Sequence, residues 1–125
     1  MKFPGRRPAN LGVTDGKLAP CPDSPNCVSS QAAADDSMHS IAALPLMEIA
    51  RIQEAIESLE RVQVIEASDS YLYAEFESKQ MGFIDDVEFY RDTAAGVVHV
   101  RSASRLGRSD LGVNRKRIEE IRACL

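Results

Sequence analysis

The chain has 125 residues, of which 44% are apolar and 27% charged, values that describe one globular domain rather than a disordered or disulfide-dense chain. The net charge of −4 is uneven, because residues 31–100 carry a net charge of −10 and residues 101–125 one of +4. An acidic body with a short basic end disfavours nucleic-acid binding, and no run approaches the roughly 18 apolar residues of a membrane span.

Residues 1–45 are rich in proline and lack a regular hydrophobic period, which predicts an ordered arm that wraps the domain. Leu11, Leu18 and Val28 are among the apolar side chains that would anchor it. The opening MKFPGRRPAN is positively charged but has no apolar segment behind it, so it is not a signal peptide as written. The expected compartment is therefore the cytoplasm; the alternative is a periplasmic or membrane-associated location if an N-terminal segment was removed.

The loop CPDSPNC places Cys21 and Cys27 at a C-x5-C spacing. Structural zinc sites use pairs spaced C-x(2–4)-C, and redox enzymes use C-x-x-C at a helix N-terminus, so neither a metal nor a cofactor is expected here. A disulfide between the two is sterically feasible and would fix the arm, although cytoplasmic thiols normally stay reduced. The loop is predicted to be structural, with its bonded state open. The remaining cysteine, Cys124, is expected to pack on the last helical turn.

The regular elements begin after Pro45. Apolar residues at three- and four-residue spacing predict an amphipathic helix over 46–60. The last segment predicts a second helix, which is capped either early by Ser109 or Asp110 or later by Asn114. Between the helices the hydrophobic period changes to two, and four strands are predicted at 62–67, 71–78, 83–91 and 97–104.

Short connections between these strands favour an antiparallel arrangement. The chain is therefore predicted to be a single α+β domain over 1–125, with an N-terminal arm at 1–45 and a core at 46–125. In this core a four-stranded antiparallel β-meander carries two helices on one face, in the order α-β-β-β-β-α.

Charged residues recur on the sheet face predicted to lie opposite the helices. They form ordinary surface charge ladders if the sheet is flat, or a polar groove if it curls. Two alternative functions follow from this face. One is a hydrolase-like enzyme that uses Asp86 or Glu88 as a general base beside Arg101. The other is a protein-interaction domain, if the tyrosines of the same face are exposed. The charged residues are Glu75, Glu77, Asp86, Glu88, His99 and Arg101, and the tyrosines are Tyr71, Tyr73 and Tyr90.

The segment RSASRLGRSDLGVNRKR (101–117) is the strongest candidate site, because it places arginines and hydroxyls where a strand ends and a helix begins. The alternative is a structural capping network. We predict a non-catalytic binding module for a small anionic or amphipathic ligand, with no nucleic-acid partner and no membrane span. The candidate ligand-binding residues are Arg101, Ser102, Ser104, Arg105, Arg108, Asn114 and Arg115.

Three motifs, LGVTDGKLAPCPDSPNCVSSQ, FIDDVEFY and VVHVRSASRLGRSDLGVNRKRIEEIR, give the chain a family resemblance that extends from Leu11 almost to the C-terminus. On these residues it resembles a bacterial and plant family catalogued as domain of unknown function 1499. The resemblance implies no activity for any position. Proteins of this kind often carry an N-terminal hydrophobic segment that places the domain outside the inner membrane, which implies a Cys21–Cys27 disulfide. The present sequence lacks that segment.

Overall fold

The computed structural model describes residues 5–79 and 82–125; the first four residues of the predicted arm lie outside the described residues. The described elements are β1 (Cys27–Ser29), β2 (Leu44–Pro45), α1 (Ile49–Glu57), β3 (Val62–Ala67), β4 (Tyr71–Glu77), β5 (Ile84–Asp92), β6 (Val97–Ser104) and α2 (Val113–Ala123).

Within the described residues, six strands form one antiparallel sheet in the order β1-β6-β5-β4-β3, with β2 also paired to β6. The predicted number of four strands is therefore wrong, although the α+β class and the antiparallel pairing are confirmed. The two additional strands have three and two residues and lie in the predicted arm. Cys27 pairs with Ala103 near the end of β6, and Leu44 pairs with Val98 near its start. Strands this short carry no detectable period of two.

Both helices are shorter than the hydrophobic pattern suggested. Helix α1 begins at Ile49 rather than at residue 46, because Leu44 and Pro45 are paired in the sheet and Leu46 is exposed. Helix α2 begins at Val113, between the early and the late predicted starts. The carboxylate of Asp110 accepts hydrogen bonds from the backbone N–H groups of Gly112 and Asn114, and these would otherwise have no partner inside the helix.

One face of the sheet and the apolar sides of both helices form the main hydrophobic core. The strands contribute alternate residues, as a period of two requires. Each helix contributes residues spaced three or four apart, which places them on one side of the helix. The core contains Ile49, Ile52 and Ile56 of α1, Ile118 and Ile121 of α2, and Leu72, Ala74, Phe76, Val87, Phe89, Val98 and Val100 of the sheet.

The opposite face of the sheet is covered by the N-terminal arm. Leu18 is buried there against Tyr71 and Tyr73, and Leu11 packs at the edge of the same cluster. The sheet therefore lies between the helices and an irregular segment, so that both of its faces are covered. Neither of the described helices is long and apolar enough to cross a membrane.

Candidate functional site

The strand register brings the predicted charged residues together on the arm-covered face. Glu75 lies opposite Asp86, and Glu88 lies opposite Arg101. Asp86 and Glu88 are buried, as is Arg101. These side chains are therefore not surface charge ladders, because the arm and their mutual contacts remove them from water.

Arg105 neutralises the carboxylates at one end of this face. Its Nε donates to Asp86 Oδ2 at 2.9 Å, and its Nη2 donates to Asp86 Oδ1 at 2.8 Å and to Glu75 Oε2 at 2.5 Å. Arg7 of the arm adds a hydrogen bond to Glu75, and Tyr73 donates to both carboxylates. Burial alone would raise the pKa of Glu75, but the hydrogen bonds from Arg7, Tyr73 and Arg105 together lower it. This end of the face is a closed ionic network.

Glu88 lies at the centre of the face and is fully buried. Its Oε2 accepts a hydrogen bond from the Gly12 N–H at 2.7 Å and one from the Tyr71 hydroxyl at 2.5 Å. Arg101 lies 3.9 Å from the other carboxylate oxygen and donates to the Pro20 carbonyl at 3.3 Å. Burial raises the pKa of Glu88 and lowers the pKa of Arg101. The charge of each side chain opposes part of the pKa change that burial causes in the other. Both groups are thus held under the arm and away from solvent.

At the strand–helix junction, Asn114 links three parts of the chain. The Ser102 hydroxyl donates to Asn114 Oδ1 at 2.6 Å. Asn114 Nδ2 donates to Ser104 Oγ at 2.9 Å, to Asp110 Oδ2 at 2.7 Å and to the Asn26 carbonyl at 3.2 Å. These groups satisfy one another and join β6, α2 and the loop before β1.

The structure separates the predicted ligand-binding residues into four places. Ser102, Ser104 and Asn114 form the interior network. Arg101 and Arg105 lie on the arm-covered face, on the other side of the sheet. Arg115 donates to backbone carbonyls of residues 37–40, and Arg108 is exposed. The residues are close in sequence, yet they do not line one common pocket.

An apolar cleft of about 550 Å³ lies at the same junction. The charged and hydroxyl residues of the sequence did not indicate it. Among its lining residues, Phe83, Leu106, Leu111 and Val113 are 39%, 46%, 94% and 45% exposed. Four large apolar side chains exposed together in a small domain are characteristic of a binding surface. The signal in the sequence was the pair of leucines that stand next to glycines in RLGRSDLGV.

Local hydrogen bonds hold Leu111 in its exposed position. Its backbone is left-handed, with φ of 55°, a conformation that is uncommon outside glycine. The Ser109 hydroxyl accepts from the Leu111 N–H, and the Asp110 carboxylate accepts from the N–H of Gly112. Burial alone would raise the pKa of Asp110, but hydrogen bonds from Asn114 and Gly112 lower it. The turn therefore keeps Asp110 ionised and directs a leucine into solvent.

The two carboxylates that line the junction cleft, Asp85 and Asp110, are already paired. Asp85 forms a 2.8 Å ion pair with Arg117, whose guanidinium also lies over the Phe76 ring. Burial raises the pKa of Asp85, and the charge of Arg117 opposes this change. The carboxylate of Asp110 accepts a hydrogen bond from the Asn114 N–H at the start of α2. The rest of the cleft surface is mainly apolar.

The cysteine loop is closed by a Cys21–Cys27 disulfide, with a Cα–Cα distance of 5.7 Å. Next to it, the buried ring of His39 lies between two acceptors at 2.8 Å, Asp36 Oδ2 and the Ser24 carbonyl. Hydrogen bonds to Asp36 and to the Ser24 carbonyl raise the pKa of His39, and the bond to Asp36 has the larger effect. The third cysteine, Cys124, is exposed, so the prediction that it packs on the last helical turn is wrong.

A family model described as "Protein of unknown function (DUF1499)" matches residues 17–125, which confirms the resemblance found in the sequence motifs. No curated protein and no solved structure matches the chain. The match covers the disulfide loop, the whole sheet and the junction cleft.

We predict that Arg105→Ala lowers the free energy of unfolding by about 3 kcal/mol, because it leaves the carboxylates of Glu75 and Asp86 without their shared guanidinium. Urea unfolding followed by circular dichroism measures this change. Arg108→Ala is the matched control and should change stability by no more than about 0.5 kcal/mol, since Arg108 is exposed. Equal stability of the two variants would contradict the network.

We also predict that His39 makes stability depend on pH. A raised pKa in the folded state stabilises the fold at pH values below the unfolded pKa, near 6.5, and this contribution is lost as pH rises through the folded pKa. The melting temperature of the wild type should therefore decrease relative to that of His39→Gln as pH rises above 6.5. The neighbouring charges, Asp36 and Asp23, are common to both proteins. A difference that stays constant over this range would show that His39 is not the titrating group.

Proposed function

The chain belongs to the DUF1499 family, whose description states no activity, and we propose that it is a non-catalytic binding module for an amphipathic ligand. The observation that carries the proposal is the apolar cleft at the strand–helix junction. Its exposed apolar lining lies together with two carboxylates, those of Asp85 and Asp110, which are already paired within the protein. Such a lining provides binding energy through apolar contact rather than through a reactive group.

The apolar part of the ligand contacts Leu106, Leu111 and Val113. Full burial of a leucine side chain contributes roughly 1.5–3 kcal/mol, so covering Leu111 alone changes affinity about tenfold or more. The turn around Asp110 fixes the position of Leu111 before binding, which reduces the entropy lost when the ligand is bound.

The polar part of the ligand lies at the rim of the cleft. Lys79 lines the cleft, and Arg108 is exposed next to the lining residue Gly107. The acidic side chains Asp85 and Asp110 are occupied by Arg117 and by the start of α2. Basic side chains thus stand near the cleft while its carboxylates are paired, which favours an anionic head group over a cationic one.

We predict that the protein binds 11-(dansylamino)undecanoic acid, a fluorescent amphipathic anion, and that Leu111→Ser weakens this binding about tenfold. Titration of dansyl fluorescence measures the dissociation constant. Leu46→Ser is the matched control: Leu46 is also an exposed leucine, 40% accessible, but it lies outside the junction cleft. The melting temperature of Leu111→Ser should stay close to that of the wild type, because Leu111 packs against little in the unbound protein. Unchanged affinity in this variant, or equal loss in the control, would contradict the cleft as the site.

We further propose that the chain works in an oxidising compartment, the alternative left open by its N-terminal sequence. The Cys21–Cys27 disulfide supports this location, because structural disulfides persist outside the reducing cytoplasm. A closed loop of this length contributes about 2 kcal/mol by restricting the unfolded chain.

The compartment is tested by counting free thiols in intact cells. After acid quenching and alkylation with a maleimide, mass spectrometry should find one modified cysteine, Cys124, per chain. Cys124→Ser should then carry no modification. Alkylation of Cys21 and Cys27 in the quenched sample would instead assign the protein to a reducing compartment.

A further inference from the structure

We propose that the arm-covered face is a peptide-binding surface which the chain's own arm occupies, and that reduction of the Cys21–Cys27 disulfide opens it to a second peptide. The arm segment is defined as residues 10–20. The face beneath it consists of Tyr71, Tyr73, Glu88 and Arg101. The partner is a peptide with the chemistry of the arm segment, which turns back on itself between Thr14 and Lys17 and places a leucine between a backbone donor and a backbone acceptor.

Two charged side chains of the face recognise the backbone of the arm. Glu88 accepts a hydrogen bond from the Gly12 N–H at 2.7 Å, and Arg101 donates to the Pro20 carbonyl at 3.3 Å. Glu88 and Arg101 are direct partners on neighbouring strands. The face thus presents one acceptor and one donor at fixed positions, and a peptide that turns back on itself, as the arm does between Thr14 and Lys17, provides the complementary groups.

The apolar contact between these two polar ones comes from Leu18. It is 4% exposed and packs on the rings of Tyr71 and Tyr73. A buried aliphatic anchor on a tyrosine floor, flanked by hydrogen bonds, is the pattern of a peptide-binding hot spot. The Gln31 side chain accepts a hydrogen bond from the Leu18 N–H at 2.8 Å, which fixes the backbone of the anchor residue.

The arm segment contacts the sheet through hydrogen bonds to side chains and through packing, whereas the two strands of the longer arm, β1 and β2, pair with β6. The described pairing within residues 5–26 is a bridge between Thr14 and Lys17, both in the arm itself. The arm segment can therefore leave the sheet without breaking any ladder that the structure describes between the two. A segment held in this manner opens more readily than a strand in the sheet interior.

The disulfide is the covalent control on this opening. Cys27 belongs to β1, which is paired with β6, whereas Cys21 directly follows the arm segment. A dithiol reductant transfers two electrons and two protons to the disulfide, which gives two cysteine thiols, and the dithiol becomes a disulfide. The arm then remains attached through residues 22–26, but Cys21 is no longer fixed beside β1.

Covalent capture of a peptide tests the proposal on the full-length Cys21→Ser protein. The probe is the capped peptide ANLGVTDGKLAPCP, which reproduces residues 9–22 and carries the arm's own cysteine. In a glutathione redox buffer, the peptide thiol and the Cys27 thiol form a mixed disulfide while one oxidised glutathione becomes two reduced glutathiones. Peptide mapping by mass spectrometry measures capture at Cys27 and, as an internal reference, at the exposed Cys124.

Recognition by the face should make capture at the buried Cys27 at least tenfold greater than capture at Cys124, although Cys124 is the more accessible thiol. A peptide with serine in place of Leu18 should lose about tenfold at Cys27 and nothing at Cys124. Oxidised wild-type protein should show capture at Cys124 alone. Predominant capture at Cys124, or equal capture of the two peptides at Cys27, would overturn the proposal.

A second measurement uses the wild-type chain and needs no variant. The protein has three tyrosines and no tryptophan, and all three tyrosines lie on the arm-covered face. Addition of a dithiol should therefore increase the quenching of tyrosine fluorescence by acrylamide while the far-UV circular dichroism stays unchanged. Unchanged quenching after complete reduction would show that the arm stays closed without its disulfide, contrary to the proposal.

Discussion

The structure depends on the need to pair charges buried on one face of its sheet. A carboxylate removed from water is costly unless cations and hydrogen-bond donors replace its hydration. Asp86 receives these from Arg105 and Tyr73, and Glu88 receives them from Tyr71 and the backbone of Gly12. Because part of this pairing comes from the N-terminal arm, the arm belongs to the folded domain even though it is irregular.

This constraint also determines where the protein can recognise other molecules. The arginines that the basic C-terminal region contributes to the sheet, Arg101 and Arg105, are directed inward to balance carboxylates. The hydroxyl and amide groups at the start of α2 bond to one another. The junction also exposes apolar side chains, and Leu111 is the most exposed of them. The candidate cleft is therefore the part of the junction that internal pairing leaves unused.

The longer elements were predictable because their hydrophobic period extends over several residues. Strands β3 and β6 have the predicted bounds, β4 ends one residue early, and β5 is shifted by one residue at both ends. The short strands β1 and β2, which each pair with β6, were not predicted because three and two residues contain no measurable alternation. Helix α1 was predicted too long, since Leu46 fits the helical spacing although the preceding residues are held in the sheet.

By itself, the sequence determined the α+β class, the order of the main elements, the family and the residues that occupy the two faces of the sheet. Those properties follow from local periodicity and from contiguous motifs. The tertiary structure decided which partner each polar group has. Arg105 reaches Glu75 across 30 residues, and Arg101 reaches Pro20 across 81. The role of an arginine, as a ligand contact or as a buried counter-ion, depends on such distant contacts, because its charge is stabilised by whatever surrounds it after folding.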